Sequence, residues 1–276
     1  MHPGMDPAAF ALVWGLLGGI PLYLEWWNPR ESVRRNLARL VCTPGGRLLN
    51  EGEYLLRTEG GELAEKALYA IARGRTRFHE VRDALETNPS RTLDQLAESR
   101  LVDRLVPVTE NPERTRRTVY RIQDNFLAFW LSVVARYRTE IERGLGETIL
   151  APLLQGLDDF MAPRWEEAFR WHLRRLAAQG MIHPEVVAIG PFWTDRDAPD
   201  EIDAVILAGR NREAVLVGDA KWAKRVDARR ALRDLERKAA ALPAVAGGLR
   251  DVVCAREEVT GEGDVERITA EEIFRR

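Results

Sequence analysis

Two aspartates stand in neighbouring apolar segments of the C-terminal half of the chain. Asp203 lies near the start of the apolar run 201–207, and Asp219 ends the apolar run 214–219. The residues between these runs, 209–212, are turn formers and predict a β-hairpin that brings the two carboxylates together. Paired carboxylates suit a hard cation, because Mg²⁺ takes oxygen ligands from one or two carboxylates, water and phosphate.

A lysine and a glutamate complete this group. Lys221 follows Asp219 by two positions, so in an extended strand its side chain points to the same side. An ammonium there can stabilise phosphoryl charge, or help to orient and deprotonate the attacking water. Glu166, on a helix predicted before the strands, could add a ligand to the metal or to its waters. We therefore predict Asp203, Asp219, Lys221 and Glu166 as catalytic residues, and Asp203, Asp219 and Glu166 as ligands of Mg²⁺ or Mn²⁺.

A plainer interpretation of the same residues is a surface salt bridge. The acidic-x-lysine pattern recurs at Glu236 and Lys238, on a predicted solvated helix where we expect no function. The position of Lys221 favours a functional role over a salt bridge. Only four of the 41 basic residues are lysines, and this one ends an apolar strand.

Composition limits the class of protein. At 276 residues, with 45% hydrophobic and 30% charged residues, the chain predicts more than one folded module and no extended disorder. The net charge of −2 gives no global attraction to nucleic acid, so such a partner would need a local patch. Cys42 and Cys254 are far apart and have no neighbouring histidine cluster, which predicts no zinc site and a reducing, cytoplasmic setting. The apolar run 8–24 is interrupted by glycine and proline, so we expect no membrane role.

The hydrophobic pattern predicts an α+β protein of three parts. Residues 1–55 form an interrupted helical segment, with helices at 10–17, 22–27 and 32–41, and Ser32 is the candidate cap of the last one. Residues 56–122 form three helices, at 63–72, 78–85 and 93–99, followed by strands at 105–108 and 118–122, which is the order of a winged helix-turn-helix. Residues 123–276 form an α/β domain with a mixed sheet, with helices at 125–137, 163–178 and 226–241 and strands at 186–189, 202–207, 214–217 and 249–255.

Arginines surround the predicted winged helix and could contact DNA phosphates. The candidate nucleic-acid-binding residues are Arg77, Arg91 and Arg100 beside the second and third helices, and Arg114, Arg116 and Arg117 in the wing. The alternative is that the module serves only to hold domains together.

Three segments together resemble a known family. Residues 165–169, 201–203 and 218–222 resemble the three motifs of the PD-(D/E)XK nuclease superfamily and, more narrowly, the C-terminal DUF234 domain of archaeal-type ATPases. Residues 120–130 resemble the segment that joins the winged helix to the nuclease-like domain in those proteins, and residues 18–24 resemble the lid that follows their nucleotide-binding core. The resemblance implies a restriction-endonuclease-like fold for residues 123–276 and a metal-dependent phosphodiesterase site.

The chain also departs from that pattern. Asp219 stands where relatives usually carry glutamate, and Ile202 replaces the proline of the superfamily name. The sequence contains no Gly-Lys dipeptide and hence no Walker A loop, so we expect no ATP site and take the chain as a fragment or a shortened homologue. A partner ATPase, or self-association through the N-terminal segment, is a further expectation.

Three functional hypotheses remain open on the sequence. The first is a DNA-acting protein with an Mg²⁺-dependent endonuclease site. The second is a catalytically inactive DNA- or protein-binding module of an ATPase system, and the third is a ligand-responsive regulator. Binding of a divalent metal separates the first from the others, and salt-dependent DNA affinity separates the second from the third.

Overall fold

The computed structural model describes residues 4–59, 61–195 and 200–275. Its first helices are α1 (Pro7–Leu17), α2 (Pro21–Trp26), α3 (Val33–Leu40) and α4 (Arg47–Glu59). The side chain of Ser32 caps α3 by accepting the backbone N–H of Arg35, which confirms the predicted cap. The sequence pattern does not predict α4, because Gly52 is unfavourable in the middle of a helix. Here the glycine is needed, since a Cβ at position 52 would lie 2.2 Å from Cγ of Trp130.

Three helices and a hairpin follow, in the predicted order. They are α5 (Glu62–Ala72), α6 (Phe78–Leu85), α7 (Ser90–Glu98), and the antiparallel strands β1 (Val102–Leu105) and β2 (Val119–Ile122). The first strand lies three residues before the predicted 105–108. Val108 is bound elsewhere, since its N–H donates to the carbonyl of Pro191 at 2.8 Å and its side chain joins an apolar core of the C-terminal sheet.

The predicted helix 125–137 is not a regular α-helix. The segment consists of α8 (Asn125–Phe129), a π-helical turn (Trp130–Val134) and a 3-10 turn (Ala135–Tyr137), followed by α9 (Arg138–Glu140), a second π-helical turn (Ile141–Leu145) and α10 (Gly146–Gln155). The predicted residues are helical throughout, but a three-and-four spacing does not reveal the extra residue that a π-turn inserts.

The C-terminal part contains a mixed sheet, as predicted, with five strands where the sequence predicts four. Its elements are α11 (Leu157–Ala178), β3 (Val186–Trp193), β4 (Glu201–Ala208), β5 (Glu213–Lys221), β6 (Arg225–Asp227), α12 (Ala228–Ala239), β7 (Val245–Ala255), β8 (Glu258–Thr260), β9 (Glu266–Ile268) and α13 (Ala270–Phe274). The strand order is β3-β4-β5-β7-β9, with β3, β4 and β5 antiparallel and β7 and β9 parallel to β5. The protein is thus α+β.

The predicted helix 226–241 is shorter in the structure. Asp227 caps α12 by accepting the N–H of Arg230 at 2.7 Å, so the helix begins at Ala228. The residues before it pair as β6 with β8 in a separate two-stranded parallel sheet.

The described residues divide into two compact units. Among the described residues, the first unit contains 4–5, 12–105 and 119–161, and the second contains 6–11, 106–118 and 162–275. The three-part division at residues 55 and 122 stays a prediction. Within the described residues, no helix is both long and apolar enough to cross a lipid bilayer.

The second unit has two apolar cores that fix α12 against the sheet. In one, Leu235 and Ala239 pack with Val205 and Val217 of the central strands. In the other, Ala228 and Ala231 pack with residues of β7 and β8. One face of α12 is therefore buried along its length, and the opposite face is exposed.

Candidate functional site

Asp203 and Asp219 lie side by side on the paired strands β4 and β5. Ala204 is the register partner of Gly218, so one step further along each antiparallel strand the two aspartates face each other. Both are buried, with exposed fractions of 6% and 5%. The predicted hairpin therefore brings the two carboxylates together.

Gly218 fixes which way Asp219 points. A Cβ at position 218 would lie 2.6 Å from Cζ of Phe169, so only glycine allows the α11 ring to approach β5 this closely. Because side chains alternate along a strand, Asp219 points to the other face of the sheet, where Val217 packs with Leu235 of α12.

Lys221 contacts both aspartates. Its Nζ lies 2.7 Å from Oδ1 of Asp219 and 3.7 Å from Oδ2 of Asp203. Burial lowers the pKa of Lys221, but Asp203 and Asp219 outweigh burial and hold the pKa above its usual value. The side chain is consequently a cation at neutral pH.

Asp203 has the more perturbed carboxyl group. Burial, reinforced by the charge of Glu166, raises its pKa to about 8, although Lys221 opposes both. Its Oδ2 accepts the N–H of Ala220 at 2.7 Å, which fixes the side chain. Glu166 also acts electrostatically on Lys221, so all four predicted residues belong to one charged group.

Arg170 positions this group from α11, although the sequence analysis did not identify it. The side chain is 1% exposed, and its Nη1 donates to the backbone carbonyl of Asp203 at 2.6 Å. It also lies 3.0 Å from Glu167 and 3.7 Å from Glu166. The four-residue spacing between Glu166 and Arg170 was the available signal, since such pairs meet on a helix.

Lys238 is a second residue that the sequence analysis missed. We expected its helix to be merely solvated, but the side chain is only 15% exposed and Nζ lies 4.0 Å from Oδ1 of Asp219. It also pairs with Asp234 at 2.8 Å, one helical turn earlier. The expectation for Lys238 was wrong, because the residue lies on the flank of α12 beside the sheet.

The six arginines predicted to bind nucleic acid fall into both units. Arg77, Arg91 and Arg100 are exposed in the first unit, whereas Arg114, Arg116 and Arg117 belong to the second. Arg117 is engaged by Glu110, by Asp195 at 3.6 Å and by the carbonyl of Trp193 at 3.3 Å. The structure therefore does not collect these six residues into one unit.

The donor set is compatible with a divalent cation held by two carboxylates. Among residues 4–59, 61–195 and 200–275, no three His, Cys, Asp or Glu side chains are arranged to hold a metal ion. Mg²⁺ commonly takes only one or two carboxylates and fills its remaining positions with water and substrate phosphate. Asp203 and Asp219 would supply those two carboxylates, with Glu166 placed to act on bound water.

Comparison with known proteins supports part of the resemblance. The family model DUF234, described as archaeal and bacterial proteins of unknown function, matches residues 130–232, a range that contains all four predicted catalytic residues. An uncharacterized protein of Methanocaldococcus jannaschii is 25% identical over 238 residues, which are 82% of this chain and 51% of that protein. The chain thus spans about half the length of this curated relative. No solved structure matches the chain.

Proposed function

We propose that the second unit carries a divalent-metal-dependent phosphodiesterase site that cleaves DNA. The observation that supports this proposal best is the contact of one lysine ammonium with two buried, opposed carboxylates. A structural salt bridge needs one carboxylate for one lysine, whereas Lys221 meets two, and Glu166 adds a third negative charge to the group. A bound divalent cation would hold these carboxyl groups in their ionised form and share their oxygen atoms.

In this proposal Asp203 and Asp219 hold Mg²⁺ or Mn²⁺, and Glu166 acts on water bound to the metal. The metal would supply Lewis-acid polarisation of the phosphoryl group and make hydroxide available near neutral pH. Asp203 is oriented for this role from two sides, by the N–H of Ala220 at its Oδ2 and by Arg170 at its carbonyl. Arg170 is a positioning residue, because it acts through Asp203.

Lys221 has the role of a charge-stabilising donor. Its raised pKa keeps the ammonium protonated, which favours donation to a phosphoryl oxygen over removal of a proton from water. Asp219 holds this ammonium at 2.7 Å, so the donor is already in place before substrate binds.

The finer parts of the resemblance belong to the same proposal. The fold of the second unit would be restriction-endonuclease-like, and α5 to α7 with β1 and β2 would be a winged helix. Arg77, Arg91 and Arg100 would then contact phosphates. The helical segment 1–55 would correspond to an ATPase lid, with a partner ATPase in the cytoplasm.

The alternative is a catalytically inactive DNA- or protein-binding module. One observation favours it, since Lys221 and Asp219 already form a close ion pair without a metal. Such a pair can hold the strand end together with no turnover.

The deciding experiment is cleavage of supercoiled plasmid with Mg²⁺ or Mn²⁺. The parent protein is compared with Lys221→Ala and Asp203→Ala, and Lys224→Ala is the matched control because Lys224 is exposed and lies outside the charged group. We expect the parent and the control to cut and the two site variants to fail. If no protein cuts while DNA is still bound, the inactive module is the correct interpretation.

A further inference from the structure

The exposed face of α12 carries a concentration of positive charge that the site does not use. Between Ala228 and Ala239 the helix has five cationic side chains and two acidic side chains. The cationic residues are Arg229, Arg230, Arg233, Arg237 and Lys238. The buried face, with Ala228, Ala231, Leu235 and Ala239, is entirely apolar, so the charged residues are confined to the remaining circumference.

Three of these arginines have guanidinium groups without a partner among the described residues. Arg229, Arg230 and Arg233 are exposed, and no ion pair or hydrogen bond joins their guanidinium groups to any other described residue. Arg233 lies three and four positions after the other two, so the three side chains occupy adjacent places on one face. Arg237 continues the row by one further turn and is held by Asp200 and Asp234.

The acidic residues of the helix do not cancel this charge. Asp234 is occupied by Arg237 at 2.8 Å and by Lys238 at 2.8 Å. Glu236 forms no ion pair within the described residues and acts on Asp251 of β7, and the helix still has three more cationic than acidic side chains, five against two. The row of arginines therefore remains positive.

The row is connected to the candidate site by contacts on the same helix. Arg237 and Lys238 share Asp234, and Lys238 reaches to 4.0 Å from Asp219. A continuous series of charged side chains thus leads from the solvent face of α12 to the two aspartates. A twelve-residue helix is about 18 Å long, which matches roughly five nucleotides of one DNA strand.

We infer that α12 is the surface along which the phosphate backbone of DNA lies as it enters the candidate site. This inference rests on the proposed function and assigns its main DNA contact to Arg229, Arg230 and Arg233, with Lys238 at the inner end. Phosphate contacts of this kind set position and give affinity without reading bases. The surface lies in the same compact unit as Asp203 and Asp219, whereas Arg77, Arg91 and Arg100 lie in the other unit.

The test is a salt titration of DNA binding in EDTA, where cleavage cannot contribute. A fluorescein-labelled duplex is bound to the full chain, and the slope of log Kd against log salt is measured by anisotropy. Each phosphate contact contributes about 0.9 to this slope, so replacing all three arginines by glutamine should lower it by roughly 2 to 3 and weaken binding at least about tenfold at moderate salt. The triple lysine variant keeps the charges and should retain most of the slope.

A charge-matched control separates a local contact from a general charge effect. Arg35, Arg143 and Arg210 are exposed, lie outside α12 and have no ion pair within the described residues. Their triple glutamine variant has the same change in net charge and should leave the slope unchanged. Circular dichroism checks that each variant is folded.

The outcomes distinguish this inference from the proposed function. An unchanged slope in the α12 variant, an equal loss in the control, or no salt-dependent binding by the parent overturns the inference. If the α12 variant loses binding but the parent never cleaves plasmid, the inference stands and the nuclease proposal fails. If cleavage persists with an unchanged slope, only the inference is overturned.

Discussion

The same three-residue pattern, acidic-x-lysine, occurs in β5 at Asp219 and Lys221 and in α12 at Glu236 and Lys238. Along a strand, positions i and i+2 lie on one side, and Nζ of Lys221 is 2.7 Å from Asp219. Along a helix the same spacing places the side chains on opposite sides, and Lys238 pairs instead with Asp234 at the i−4 position. Whether the pattern brings its two side chains together therefore depends on whether it lies in a strand or in a helix.

The two segments nevertheless meet at one carboxylate. Lys238 approaches Oδ1 of Asp219 from α12 at 4.0 Å, while Lys221 approaches the same oxygen along β5. Two lysines therefore lie near Asp219, whereas the charge of Glu166 raises the pKa of Asp203. The two carboxylates of the proposed metal site thus differ in their charged neighbours.

The largest effect should come from the strand lysine. We expect Lys221→Met to lower the rate of plasmid cleavage by at least about 100-fold, because the donor that faces the phosphoryl charge is lost. Lys224→Met should cut like the parent. A rate for Lys221→Met within a few-fold of the parent would show that the two lysine segments do not differ in chemistry.

The strand also has a packing requirement that the helix segment lacks. Gly218→Ala should lower the free energy of unfolding by about 1–3 kcal/mol, because the new methyl group overlaps the ring of Phe169. Urea denaturation measures this change. Gly247→Ala is the control, since no atom lies within 4 Å of the place that its new methyl group would take. Adding Phe169→Leu to Gly218→Ala should recover part of the loss, and no recovery would contradict the contact.

The two lysines can be compared only above a certain pH, because His172 makes the folded protein less stable as pH falls. Burial, with a smaller contribution from Arg175, lowers the pKa of this imidazole from 6.5 to about 4. Between these values the unfolded chain binds more protons than the folded chain, so this group makes stability fall as pH decreases from 6.5 to 4 and has no effect above that range. At pH 5 we expect a loss of about 1–2 kcal/mol relative to pH 7, measured by urea denaturation.

A His172→Leu variant isolates this contribution. It has no ionisable group at position 172, so its own loss between pH 7 and pH 5 should be smaller by that amount. Equal losses in the parent and the variant would assign the pH dependence to other groups.

The smallest effect should come from the helix lysine. Lys238→Met should lower the cleavage rate by about tenfold, equivalent to about 1.4 kcal/mol, because Asp219 keeps Lys221 and loses only the more distant cation. Lys238→Arg should retain part of the activity. If the Lys238→Met protein were as active as the parent, Lys238 would have no role at the site.

The sequence predicted the parts of the site that depend on a regular period. Alternation along two strands was enough to place Asp203, Asp219 and Lys221 together, and helix periodicity placed Glu166 on the preceding helix. The cap at Ser32 was predicted because its side chain acts on a backbone group only three residues away.

Contacts between distant segments could not be predicted in the same way. Arg170 and Lys238 reach the site through the packing of α11 and α12 on the sheet, which no local spacing encodes. The displaced strand β1 has the same cause, since Val108 is drawn to Pro191 by a bond across 83 positions of sequence. The helix α4 was missed because Gly52 opposes a helix locally and is required only by Trp130.

The place of β5 within the sheet has one further consequence. On one edge β4 pairs with it as far as Gly218 and Asp203 accepts the N–H of Ala220, and on the other edge residues 218–221 pair along their length with residues 252–255. The backbone that carries Asp219 and Lys221 is therefore preorganised, and a ligand arriving there would lose little conformational entropy in ordering it. Differences in affinity between ligands at this position would then reflect how well each ligand fits the strand, because the protein has already adopted its bound geometry.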